Sequence, residues 1–503
     1  MDSSISQIFQ WPPFPLLLTS LLFFFIVVRY FQKSGGQGKV LPGPKPLPII
    51  GNLHQMTGGL PHQVLARLSK KYGHVMKLQL GQISAVIVSS PEVAKEVLKT
   101  HELSFAQRPD FYVVQIMTYD RSGMVFAPYS EYWRQIRKIY MIDLLSNKRV
   151  LSFKSIREEE VWNLVENISS SEGQTINLTK MVFNLTNHII SRATFGSKNE
   201  NQKDFILALH EAILFTGGFH IADLYPSLTF LRSITGAKSK ILRLHKKIDE
   251  ILEAIVTKHK MKREAATKVK DQEDILDTLL DHAKDGSIKI NHIKAIILEL
   301  FSAGSETSGT TIDWAMVELL KNPRVMKKAQ QEVREACKGK SKIEEADIKN
   351  LHYLYLVIKE SFRLHPPTAI VPRIAIETCE INGYTIPADT QILINPYAIG
   401  RDPTIWNDPE CFVPERFEGS PIDLKGNNFE LLPFGSGRRI CPAIVFAISG
   451  IELALSQLLY HFDWELADGI KPEDLDMTES FSSVTRRKSD LNVIATTRFP
   501  LQK

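Results

Sequence analysis

The chain has 503 residues, 44% hydrophobic and 23% charged, which suffices to bury a large core in one very large domain or two fused ones. Its formal net charge is only +5 with Lys and Arg interspersed among Asp and Glu, so composition excludes an extended nucleic-acid footprint. The cysteines Cys337, Cys379, Cys411 and Cys441 form no CxxC pair and no zinc spacing, and the body reads as reduced and cytosol-facing.

From Trp11 to Val28 runs WPPFPLLLTSLLFFFIVV, eighteen residues without a charge, at the short end of what spans a bilayer as a helix. It lacks the basic start and small-residue cleavage site of a signal peptide, so residues 1–30 read as a retained anchor. Arg29, Lys33, Lys39 and Lys45 place positive charge on its C-terminal side only, which sets the body in the cytosol. The sequons at Asn167, Asn177 and Asn184 are then expected to stay bare. Residues 31–52 form a basic, proline-rich hinge ending in LPGPKPLPIIGN, a segment unable to form helix or central strand. It is either a plain linker or a spacer that orients the body against the membrane.

Residues 75–89 read as a hairpin broken at Gly81 and Gln82. Amphipathic helical patterns follow around 91–100, 130–145, 154–170, 203–215, 238–260, 273–283, 291–321, 323–337, 349–364 and 443–460. Strand-like pieces return at 373–376, 379–386 and 390–394, while the charged stretch Thr257–Asp274 reads as an exposed connector. Many helices with a few strands predict a mainly α domain of irregular α+β type over 53–503.

Near the C-terminus, PFGSGRRICPA sets Cys441 just before a long apolar helix pattern. A thiolate is stabilised at a helix start, and glycines let backbone pass close to something flat. A flat cofactor bound through thiolate sulfur is haem. Phe434, Gly435, Gly437, Arg439 and Cys441 would match jointly by chance in roughly one such chain in ten thousand. The stretch resembles the haem-binding loop of the cytochrome P450 superfamily, which implies that fold, haem b and Cys441 as axial ligand to iron.

Other residues extend the resemblance. AGSETSG, Ala303–Gly309, interrupts the apolar face of a long helix pattern, and Thr307 is placed to bond back to the Ala303 carbonyl. It resembles the family's A-G-x-[D/E]-T segment, which implies that Glu306 and Thr307 handle protons for oxygen activation. Glu360 and Arg363 with Arg416 resemble a buried triad that holds the loop before the cysteine. Trp133 and Arg137, four apart on one helix face, and Arg373 and Arg439 resemble partners of the haem propionates. His365 is read as structural.

At finer grain, GGLPH, SPEVAKEVLKTHELSFAQRP, YWRQIRK and INGYTIP resemble plant endomembrane enzymes of family 71, especially D-type members that oxidise terpenoids and terpenoid-derived alkaloids. The resemblance implies a monomer in the endoplasmic reticulum membrane, fed with electrons by an NADPH-dependent reductase, with Arg134, Lys138 and Arg438 as docking cations. It places substrate at the 105–125 loop, the Thr216–Pro226 connector, Phe301, Ala303, Ile370, Val371 and Phe481, a mostly apolar wall suited to a small lipophilic compound. Two departures stand out. Ala443 replaces the family's usual glycine, its methyl expected to press toward the haem or the adjoining helix, and the 366–373 loop is one residue short.

The expected activity is insertion of one oxygen atom of dioxygen into an unactivated C–H bond. The rivals are an oxygen-independent haem-thiolate isomerase or dehydratase, which has no need of Glu306 and Thr307, and a non-catalytic haem-binding membrane protein.

Overall fold

The computed structural model describes residues 19–21, 23–24, 40–197, 202–217, 219–234, 236–265 and 273–499. The expected anchor and the first part of the hinge lie almost wholly outside them.

The longer helices are α1 (Pro61–Tyr72), α2 (Glu131–Ile139), α3 (Lys154–Ser169), α4 (Leu178–Phe195), α5 (Gln202–Ile213), α6 (Ala237–Ala265), α7 (Ile275–Lys284), α8 (Ile290–Lys321), α9 (Pro323–Ala336), α10 (His352–Leu364) and α11 (Ile444–His461). The strands are β1 (Val75–Leu80), β2 (Ile83–Val88), β3 (Thr175–Asn177), β4 (Val371–Ile374), β5 (Cys379–Ile381), β6 (Tyr384–Ile386), β7 (Gln391–Ile394), β8 (Phe462–Leu466), β9 (Glu479–Phe481), β10 (Thr485–Arg487) and β11 (Asn492–Thr497). They form one sheet of order β1-β2-β7-β4, a second of order β3-β11-β8, and the hairpins β5-β6 and β9-β10. The body is mainly helical with small sheets.

The end of the hinge is docked on the first sheet. Lys77 N–H donates to the Pro42 carbonyl at 2.8 Å, and Asn52 accepts from Gln79 N–H at 2.7 Å through its side chain. A segment whose prolines lack donors therefore still finds sheet partners through its carbonyls and one asparagine.

The core centres on α8, which lies against α4, α10 and α11 and buries Ile293–Phe301 and Gly309–Leu320. Helix α4 has no apolar stripe to announce it. It is buried on both sides, with Leu185, Asn187, Ser191 and Thr194 all inside, so its polar residues look inward as well. Among the described residues only α11 is long and apolar enough to cross a membrane. Leu453, Leu455, Leu458 and Leu459 are fully buried there, so its hydrophobicity serves the core.

One expectation is corrected. Thr257–Asp274 is not simply an exposed connector: α6 continues to Ala265, and buried His259 pairs with Asp277 at 2.8 Å. Asp274, also buried, caps α7 by accepting from Asp277 N–H. The few inward residues are outnumbered by charge, and composition hid them.

Candidate active site

The loop before α11 is folded on itself. Cys441 N–H donates to the Phe434 carbonyl at 2.9 Å, and Ser436 Oγ donates to the Gly426 carbonyl at 2.6 Å. Gly437 has φ +68°, and a Cβ there would lie 1.9 Å from the Leu98 carbonyl oxygen, so no side chain fits. Cys441 Sγ accepts from Ala443 N–H at 3.4 Å, ahead of the helix start at Ile444. Burial raises the thiol pKa, opposed by that N–H and by the Arg137 guanidinium.

Above this loop lies a cavity of about 240 Å³ lined by Phe434, Gly435, Arg439, Cys441 and Ala443 on one side and by Ala303, Gly304 and Thr307 of α8 on the other. A second cavity, about 250 Å³, extends it distally under Phe111, Phe126, Ile213, Ile370 and Phe481. Arg108, Val125, Glu299, Ala303, Thr307 and Thr368 line both, so the two are halves of one space.

Several guanidinium groups crowd its edge. Arg439 donates to the carbonyls of Ala106 (2.8 Å), Met124 (3.1 Å) and Ala127 (2.6 Å) and lies over the Trp133 ring. Arg137 donates to the Ile440 carbonyl at 2.6 Å, and the Trp133 indole N–H to the Met124 carbonyl at 3.0 Å. Arg373, fully buried, and Arg108 both donate to the Pro372 carbonyl at 2.9 Å, and Arg108 Nε has no protein partner. Burial and mutual repulsion depress these cations: Arg439 to about 9 and Arg373 well below its ordinary value, while Arg108 falls to about 10 chiefly by burial. Against them the cavity lining sets one carboxylate, Glu299. A buried cation cluster short of anions fits a flat group that brings two carboxylates of its own.

On α8, residues four apart share a face, and Glu299, Ala303 and Thr307 look into the cavity. Thr307 Oγ1 donates to the Ala303 carbonyl at 2.6 Å. Glu306 does not line the space. Its side chain turns toward β10 and pairs with Arg486 at 3.3 Å, and burial raises its pKa. Of the other residues expected at substrate, Ile370 and Phe481 line the distal half and Val371 the proximal half. Phe301 lines neither; it is fully buried, stacked on Phe195 and edge-on to Phe205.

Away from the cavity, Glu360 pairs with Arg363 at 2.7 Å and Arg416 at 2.9 Å. The arginines donate onward to the carbonyls of Pro409, Cys411 and Asn407, which ties α10 to the chain leading toward the cysteine loop. His365 pairs with Glu318 at 2.7 Å and stacks on Trp314. Of the expected docking cations, Arg134 and Arg438 are paired with Glu131 and Glu102, and Lys138 is exposed.

Sequence reasoning missed Glu299. Its carboxylate accepts from the backbone N–H groups of Met124 (2.7 Å) and Val125 (2.9 Å) and from the Tyr140 hydroxyl, and burial lifts its pKa to about 7. It pins the loop whose carbonyls receive Arg439. Its spacing of eight residues before Thr307, two turns on one face, was the available signal.

The cytochrome P450 family model matches residues 41–493. The chain belongs to the cytochrome P450 family. It is 61% identical to a melianol synthase of Citrus sinensis over all of this chain and 99% of that one. It is 49% identical to a premnaspirodiene oxygenase of Hyoscyamus muticus over 94% and 96% of the two chains. A zebra fish cytochrome P450 solved with abiraterone superposes with a TM-score of 0.74 at 25% identity, covering 88% of this chain and all of that one.

This P450 is a haem-dependent monooxygenase that takes electrons from NADPH through a redox partner. Haem held by thiolate supplies dioxygen activation and favours O–O cleavage. Among the residues that would hold it, Gly437 and the loop hydrogen bonds fix Cys441, and the arginine cluster would meet the propionates. The hydroxyl of Thr307 has its proton engaged by Ala303 and its oxygen open to accept from the cavity.

Proposed function

We propose that this P450 hydroxylates, or oxidatively closes a ring on, a lipophilic terpenoid, drawing electrons from NADPH-cytochrome P450 reductase. The observation that carries this is the apolar distal half of the cavity, joined to the cysteine-bearing half at Ala303 and Thr307. Its walls offer shape and little polarity, which suits a polycyclic hydrocarbon skeleton. The names of the relatives, melianol synthase and premnaspirodiene oxygenase, agree with a terpenoid.

The same reading assigns Cys441 to iron, Trp133, Arg137, Arg373 and Arg439 to propionates, Phe434 and Gly437 to the haem bed, Thr307 and Glu306 to protons, and a structural role to the Glu360–Arg363–Arg416 triad. It further gives a monomer held by residues 1–30 as a single pass in the endoplasmic reticulum membrane, a hinge over 31–52 and a cytosolic catalytic domain over 53–503. Arg134, Lys138 and Arg438, all exposed, are the cations for the reductase. Asn177 supports the cytosolic placement, since its side chain caps α4 through Lys180 N–H and donates to Asp490, an arrangement a glycan would disrupt.

Co-expression with a plant reductase and a terpenoid panel, read by mass, tests the proposal. A product 16 mass units heavier, or 2 lighter for ring closure, is the expected result. Conversion of substrate without NADPH would instead establish the oxygen-independent isomerase, and failure on every terpenoid with an intact thiolate spectrum would refute the substrate class.

A further inference from the structure

The polar side chains of the largely apolar distal half differ in how they are engaged. Thr118, Thr216, Ser302 and Ser482 each donate to a backbone carbonyl, those of Val114, Ile213, Glu299 and Val484, and Ser483 bonds to Thr216 at 2.8 Å. Glu299 is committed to Met124 and Val125, and Arg108 belongs to the cation cluster. Two uncharged polar side chains of the wall make no hydrogen bond to the described residues, Thr368 and Gln391. Thr368 lines both halves of the cavity, as Ala303 and Thr307 do. Gln391 lines the distal half alone, whereas Cys441 lines only the proximal one.

Gln391 is an odd residue for its place. It opens β7, which runs between β2 and β4 inside the first sheet, and strands covered on both faces are normally apolar throughout. The rest of β7 obeys that rule: Ile392 and Ile394 pack into the core on one face, and Leu393 lines the cavity from the other. Residues two apart share a face of a strand, so Gln391 points with Leu393 into the distal space. Its backbone is already paired with Ala85 of β2 and Ile374 of β4, so the sheet has no need of the amide. The residue is only 7% exposed, and an amide buried without a protein partner costs stability that a leucine there would not.

The amide both donates and accepts. A substrate that fills the distal half displaces the water such a group otherwise binds. One that offers only hydrocarbon there leaves the amide unpaired, whereas one that offers a hydroxyl restores its hydrogen bonding. We propose that Gln391 is a specificity-determining residue, which hydrogen-bonds a hydroxyl already present on the terpenoid at the end opposite the carbon to be oxidised. The substrate is therefore a terpenoid alcohol, and a reaction that installs a hydroxyl must precede this one. An apolar wall alone admits a skeleton in either direction; one polar contact at its distal end decides which end faces Cys441.

The assignment rests on the terpenoid reading, and its test separates the two. The haem-loaded full chain is titrated with polycyclic terpene alcohols, each paired with the hydrocarbon of the same skeleton, and binding is read from the shift of the Soret band. An alcohol is expected to bind about tenfold more tightly than its hydrocarbon, and Gln391→Leu to erase that preference by weakening the alcohol alone. Tm of the variant should hold or rise, because no protein hydrogen bond is lost. Equal affinity of the parent for alcohol and hydrocarbon in every pair would overturn the proposal. So would an equal loss for both in Gln391→Leu, or a fall in Tm, either of which would mark the amide as structural. No spectral shift with any compound would refute the terpenoid reading and this one with it. Should Gln391→Leu fail to load haem, the comparison of the pairs in the parent still decides.

Discussion

The floor of the cavity comes from one continuous stretch, 433–443, whereas its distal walls come from segments as distant as Phe111, Ile213, Ile370 and Phe481. In the floor, positions are set by local hydrogen bonds and by glycine geometry, so sequence and structure correspond nearly residue for residue. Along the walls, a side chain reaches the cavity only because several elements pack correctly around α8. The floor should therefore fail as a unit when disturbed, and the walls should yield one contact at a time.

The largest effect is expected where the floor is held. Glu360→Gln leaves the fully buried Arg363 without its carboxylate and weakens Arg416 too. Unfolding by denaturant should show a loss of about 3–5 kcal/mol, accompanied by loss of haem. Retention of full stability would mean that the floor does not depend on the triad. Phe301→Ala probes the wall from behind: removing a fully buried ring from the Phe195–Phe205 cluster should cost about 3–5 kcal/mol while the product pattern stays the same.

Glu299 joins the two regions, and its behaviour with pH is a sharper probe. Its pKa is raised from 4.5 to about 7 by burial, so between these values the folded chain holds a proton that the unfolded chain has lost. Its stabilising contribution is complete below the unfolded pKa and is lost as pH rises through about 7, a change on the order of 3 kcal/mol. Tm measured from pH 5 to 8 should decline more steeply in the parent than in Glu299→Gln. Phe481→Ala comes next: it should shift product ratios or substrate affinity by about 1–3 kcal/mol with little change in Tm, the reverse of Phe301→Ala.

How much was legible follows the same division. The β1–β2 hairpin, α8 and the cysteine loop were visible because local periodicity or turn chemistry defines them. Helix α4 was not, since burial on both sides erases the amphipathic stripe, and β8 and β11 were not, because they pair across a long stretch of chain. Spacing grouped Glu306 with Thr307, but consecutive helical residues point about 100° apart, so only packing could show one in the cavity and the other against Arg486. Phe301 failed as a substrate contact for the related reason that apolar side chains carry no mark of whether they line a space or fill it.

The smallest effect is expected at the position where the sequence departs most visibly from its family. Ala443 sits at the N-cap of α11 with φ −100° and ψ 19°, a conformation open to any residue, and its methyl packs partly buried against the core. Ala443→Gly would forfeit that contact, worth at most about 0.8 kcal/mol, and recover a few tenths because glycine is the better N-cap. Tm and the Soret band of the reduced CO complex should both stay close to those of the parent. A clear gain in haem retention would show instead that the methyl crowds the cofactor, and would place the cost of this substitution in the floor rather than the walls.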